Sequence, residues 1–179
     1  MKSRFVHLAV VCAASLSVGS AAAQATFTNI TGSEYFTQIE EGVVNCQHGV
    51  TPTGIPNLPC GDGVRGTIRG RQITALEFFS DPRFNGVATI VSNINFDRNG
   101  AGQTWGTFEL FLNADDGVFE GTYTGTVDFK TGALDLELVG HGQGGIAEGL
   151  QLKADDVHLS PPPNPGTLLG RLLSPGGKH

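Results

Sequence analysis

Residues 117–152 read GVFEGTYTGTVDFKTGALDLELVGHGQGGIAEGLQL. The alternation in this stretch decides the fold. Phe119, Gly121, Tyr123, Gly125, Val127 and Phe129 fall on one side, and Glu120, Thr122, Thr124, Thr126 and Asp128 on the other. A period of two puts successive side chains on opposite faces of a strand. The first set is a core face, the second a wet face rich in β-favouring threonine. Lys130-Thr131-Gly132 supplies a turn. Leu134, Leu136 and Leu138 then resume the inner face, opposite Asp135 and Glu137. The stretch predicts a β-hairpin.

Its glycines need a reason, because glycine weakens a strand. Repeated on a core face, it marks sharp coiling, a bulge or close backbone approach, as at the corners of a barrel. Gly140-His-Gly-Gln-Gly-Gly has the spaced glycines of a phosphate loop. A strand follows it rather than the helix whose N-terminus would hold an anion.

Gly117-Val-Phe-Glu-Gly-Thr, Gly140-His-Gly-Gln-Gly-Gly and Glu148-Gly-Leu together resemble the allene oxide cyclase barrel-like group, within the calycin-like β-barrels. The resemblance covers the C-terminal third. It implies a small, closed, mostly antiparallel barrel of about eight strands. It carries no catalytic residue over to this chain.

The start reads as an export signal over residues 1–23: Lys2 and Arg4, an apolar run over 5–18, then Ala21-Ala22-Ala23. The run is shorter than the roughly 20 apolar residues a membrane helix needs. The expected organisation is therefore a signal over 1–23, one β-barrel domain over 24–174 and a tail over 175–179. Of 11 basic residues, Lys2 and Arg4 leave with the signal, so 9 face 17 acidic ones, a formal charge of −8. Such a chain repels phosphate backbones, which argues against nucleic acid. Cys46 and Cys60 remain as an even pair and predict a disulfide closing the loop 46–60, in a secreted or periplasmic protein.

Elsewhere the pattern is less even. Over 33–44, Tyr35, Thr37, Ile39 and Val43 share a face; around 38–41 a helix is the weaker alternative. Over 63–79, Arg65, Thr67, Arg69 and Arg71 share one face and Ile68, Leu76 and Phe78 the other, with the phase wavering near Gln72-Ile73 as at a bulge. The arginine strip reads as an anion site or, more simply, as an exposed strand face with acidic neighbours. Ala88, Ile90, Ile94 and Phe96 mark an inner face, as do Phe108, Leu110 and Leu112. Residues 166–173 form either a closing strand or a short helix.

No nucleophile elbow, metal-binding histidine pair, P-loop or Cys-x-x-Cys occurs, so no metal or cofactor is expected. Asp115 and Asp116 read as turn formers, and Asp97-x-Asn99-Gly100 as a hairpin turn rather than a calcium loop. Three residues are candidates for ligand contact: Trp105, the single tryptophan; Tyr123, on the inner face; and His141, within the glycine run. Binding of a small apolar molecule is the first expectation, an inert envelope scaffold the second and an isomerase or cyclase the third. The last needs a buried acid, for which Glu34 and Glu148 are the candidates.

Overall fold

The computed structural model describes residues 25–55 and 59–175. The signal expected over 1–23 and most of the expected tail lie outside the described residues. The strands are β1 (Thr26–Glu40), β2 (Val43–Cys46), β3 (Gly66–Phe79), β4 (Gly86–Phe96), β5 (Ala101–Leu112), β6 (Val118–Asp128), β7 (Ala133–Gln143), β8 (Gln151–His158) and β9 (Gly166–Ser174). All pairings are antiparallel, in the order β1-β9-β8-β7-β6-β5-β4-β3-β2, and β1 also pairs with β3. That last pairing closes a barrel of eight strands, with β2 as a ninth strand on β3. No helix among the described residues is long and apolar enough to cross a membrane.

The hairpin read from 117–152 is β6 and β7, paired in unbroken register from Val118–Gln143 to Asp128–Ala133. Phe119, Tyr123, Val127 and Phe129 are buried, as are Phe108, Leu110 and Leu112 on β5. Each large side chain taken from water contributes about 1.5–3 kcal/mol. Residues 166–173 are strand, and β9 closes the ring between β8 and β1.

The arginine-bearing strand and its neighbour depart from the simple alternation. Register slips on β3 between Ile68 and Arg71, beside Gly70 at φ +65°, and on β1 between Phe36 and Gln38. An inserted residue exchanges the faces of everything beyond it. Ile68 therefore points inward and so do Arg71, Ile73, Ala75 and Glu77, while Leu76 and Phe78 are 37% and 47% exposed. On β1, Glu34 is buried and Tyr35 is exposed. The grouping of Tyr35, Thr37, Ile39 and Val43, the grouping of Ile68 with Leu76 and Phe78, and the single exposed arginine strip are all corrected by these two bulges. Outside, Tyr35 and Phe78 pack edge to face at 5.8 Å, which gives the outward aromatics a partner.

Cys46 and Cys60 are disulfide-bonded, with Cα atoms 5.5 Å apart. Cys60 is buried with Ile68, Ile94, Phe96, Val127 and Phe129 in a core cluster of its own. The larger cluster includes Ile90, Phe108, Phe119, Tyr123 and Leu136, all within the barrel. Turn chemistry is as the residue types suggest. Asp97 Oδ1 accepts from the Asn99 and Ala101 amides, at 2.7 and 3.1 Å. Asp115 accepts from the Gly117 and Ile146 amides, at 2.9 and 2.8 Å, tying two loops together.

Candidate functional site: a cavity ending on buried carboxyls

The barrel is not filled solid. A cavity of about 100 Å³ lies inside it. Phe36, Ile73, Ile90, Phe108, Leu136 and Leu138 make much of the wall. Gly132 of the β6–β7 turn and Pro161 and Pro162 of the β8–β9 loop line it as well. Gly132 sits at φ +73°, and a Cβ there would lie 2.6 Å from Pro161, so its lack of a side chain lets turn and loop meet.

Polar groups interrupt the apolar wall in three places. Ser92 Oγ and Thr104 Oγ1 are 3.1 Å apart and buried. The Tyr123 hydroxyl joins them, and burial holds its phenol above the usual range. Arg71 reaches Glu41 at 2.5 Å and lies over the Phe129 ring at 5.7 Å. The third place is formed by Glu34 and Asp156, which line the cavity with His158 behind them.

This last group spans four neighbouring strands. Glu34 of β1 and Glu77 of β3 are register partners and both are buried. Asp156 and His158 follow Leu152 and Ala154 along the inner face of β8, each 1% exposed. His158 Nε2 is 2.8 Å from Glu34 Oε2 and 3.3 Å from Asp156 Oδ2. Phe36 stacks on the imidazole, with centroids 4.6 Å apart. β9 contributes Gly166, where a Cβ would sit 2.2 Å from Nε2 and 2.6 Å from both adjoining ring carbons, directly over the ring face. Any larger residue at this position displaces the imidazole.

Burial governs the protonation of this group. It raises the Glu77 carboxyl well above its ordinary value, and the neighbouring Glu34 and Asp156 push the same way. It raises Asp156 to about 7, against the opposing hydrogen bond to His158. Burial pulls His158 toward the neutral form, but Asp156 and Glu34 outweigh it and raise its pKa to about 9. At neutral pH the imidazole is therefore largely protonated and Asp156 stands close to its midpoint, while Glu77 is biased toward its acid form.

Of the residues picked out from sequence, Tyr123 and Glu34 line the cavity. Trp105 is on the outer face, 36% exposed, beneath the Arg69 guanidinium at 5.1 Å. His141 is exposed on the outer face, opposite Glu120 and Gln151. Glu148 is exposed and accepts the Gly144 amide at 2.7 Å. The fold does not bring these three to the cavity. Asp156, His158 and Glu77 belong to no motif of the sequence, and Arg71 stands out there only as one of the arginine strip. The signal for the first two was present: they continue the alternation of Leu152 and Ala154. No histidine stands at metal-ligand spacing in the sequence, yet barrel closure sets His158 and Asp156 against Glu34, a set able to hold a cation.

Compared with protein-family models, with curated proteins and with solved structures, the chain matches none.

Proposed function

We propose that this barrel binds a small, largely apolar molecule in its interior, with the polar group of that molecule against Glu34 and Asp156. The observation that carries the reading is the cavity itself, an apolar wall ending on two buried carboxyls. A barrel of about eight strands has room for one small ligand. The volume limits the choice. An apolar cavity of about 150 Å³ stays dry and takes a guest the size of benzene. At about 100 Å³ this interior suits a short chain or a small ring rather than a lipid. An inert scaffold has no use for such a space. The disulfide and the signal-like start support a secreted or periplasmic setting.

Methyl NMR tests this. Small aromatics and short-chain alcohols should shift the Ile73, Ile90 and Leu136 methyls together, and native mass spectrometry of gently purified protein should show one small adduct. Methyls in the wall that stay unmoved by every such compound would end the ligand reading.

A second reading, an acid–base isomerase, is favoured by one observation: Asp156, raised to about 7 by burial, faces the cavity beside Glu34. In such a step Asp156 takes a proton from carbon next to a carbonyl and returns it at another carbon, with no net redox change. The resemblance to the allene oxide cyclase group points the same way but places no residue. Solvent deuterium entering a bound ketone, and lost in Asp156→Asn, separates turnover from binding.

A further inference from the structure

Two buried carboxyls meet one imidazole inside this barrel, and a third lies beside them. Donor atoms of Glu34, Asp156 and His158 lie within 4.8 Å of one another. Glu77 stands directly across from Glu34. The direction of the imidazole is fixed, since Phe36 stacks on the ring and the Gly166 backbone lies over it. Its Nε2 edge is left aimed at the two carboxylates.

This convergence has a charge problem. Carboxyls gathered in a dry site need protons or a cation among them, because like charges cannot share it. Two oxygens are also left over. Asp156 Oδ1 and Glu77 Oε2 have no hydrogen-bonding partner, although their residues are 1% and 5% exposed. Asp156 borders the cavity as well, so a bound ion would sit at its polar end.

We propose that Glu34, Asp156 and His158 hold a divalent transition-metal ion of the zinc class at the polar end of the cavity, with Glu77 as the adjoining carboxyl. One imidazole nitrogen with carboxylate oxygens is a donor set for zinc or manganese; no thiolate is present to favour copper(I). Donors bound at about 2.0–2.2 Å in a tetrahedron stand roughly 3.3 Å apart. The 3.3 Å separation from Nε2 already matches, and the 2.8 Å one needs to open by about half an ångström. A ligating imidazole nitrogen and ligating carboxylates must be free of protons, so binding releases protons to solvent. This goes beyond the apolar-ligand reading and stands without it, because the site needs no guest in the cavity.

The test uses the chelator-treated protein, with zinc chloride and manganese chloride as probes. Calorimetry in two buffers of different ionisation heat should give one zinc per chain with at least one proton released. The ring nitrogens of His158 should shift in 1H–15N spectra while those of His48 and His141 stay in place. Asp156→Asn and His158→Gln should weaken binding by more than about tenfold, and Asp62→Asn, in an exposed loop, should not. If the two site variants do not fold, the His158 resonances of the unaltered protein decide. Absence of saturable binding at millimolar zinc, or binding that leaves His158 unshifted, overturns the proposal and leaves protons as what the carboxyls share. Methyl shifts with apolar compounds in the metal-free protein are read separately, so the two readings fail independently.

Discussion

Glu34 and Glu77 face each other across β1 and β3, register partners with both side chains buried inside the barrel. On an exposed sheet, like charges directly opposite are unfavourable by a fraction of a kcal/mol. Buried, they require that at least one carboxyl stay neutral. Burial accordingly raises the Glu77 carboxyl well above its ordinary range, in favour of its acid form. The native state carries this penalty for the sake of a polar cluster at the cavity, which the following substitutions and conditions probe.

Replacing Glu77 with glutamine should stabilise the metal-free protein, and more so as pH rises. Glutamine keeps the shape of the neutral acid and cannot ionise. The gain over wild type should be small near pH 4 and grow above it, where an unfolded Glu77 loses its proton and the folded one keeps it. Urea midpoints of both proteins across pH 4–9 measure this; a constant gap contradicts it.

The pH dependence of the whole cluster has the same sign. Asp156 is raised from 3.8 to about 7 in the fold, and His158 from 6.5 to about 9. Both hold protons more tightly when folded. Their contribution is therefore complete at low pH, is lost from Asp156 as pH rises through about 7, and from His158 through about 9. Metal-free barrel should unfold at lower urea at pH 9.5 than at pH 5. In Asp156→Asn/His158→Gln, if folded, this slope should flatten.

Gly166→Ala should cost about 1–3 kcal/mol, the usual range for forcing a group into a packed interior. The added Cβ would lie 2.2 Å from His158 Nε2, between the ring and β9, where β-strand pairing on both sides limits retreat. Gly149→Ala is the matched control: no atom lies within 4 Å of its added Cβ, so its cost comes from the φ of +73° alone. Chemical denaturation compares them, and the His158 ring resonances should move only in the first.

Breaking the Cys46–Cys60 bridge should remove about 2–4 kcal/mol. Cys60 should be the costlier residue to alter, because it is 1% exposed and packed against Phe96 and Phe129, whereas Cys46 is half-buried. Cys46→Ala in a Cys60→Ala background then adds little. Equal costs for the two single substitutions would contradict the packing argument.

How far the sequence carries the fold depends on where register holds. From β4 through β7 no bulge interrupts the pairing, and alternation assigns Phe108, Phe119, Tyr123 and Leu136 to the interior, as found. β1 and β3 each carry a bulge, and there counting apolar residues selects the wrong face. Tyr35, Leu76 and Phe78 drew the core outward, and the polar residues in counter-phase, Glu34, Arg71 and Glu77, were the ones facing in. Gly70 was the local sign of the break, since glycine readily takes the positive φ it shows there. The cluster itself rests on a contact 124 residues apart, His158 with Glu34, which only ring closure creates. Trp105 and His141 attracted notice as residue types, but their parity, with Phe111 and with Val139, belongs to the outer face.

The phase of β3 can be checked directly. Phe78→Ala should cost under about 1 kcal/mol, as for a side chain nearly half exposed, and Phe119→Ala about 3–5 kcal/mol, as for one fully enclosed. Comparable losses would place Phe78 in the core and undo the bulge.

The central claim is that a closed barrel encloses an apolar space ending on buried carboxyls. Xenon under pressure in a crystal of the protein reads this most directly, because it enters dry apolar cavities and little else. The expected result is one strong xenon peak between Phe36, Ile73, Ile90 and Phe108, reached without movement of the barrel strands. An interior with no xenon, its space filled by the surrounding side chains, would contradict the account.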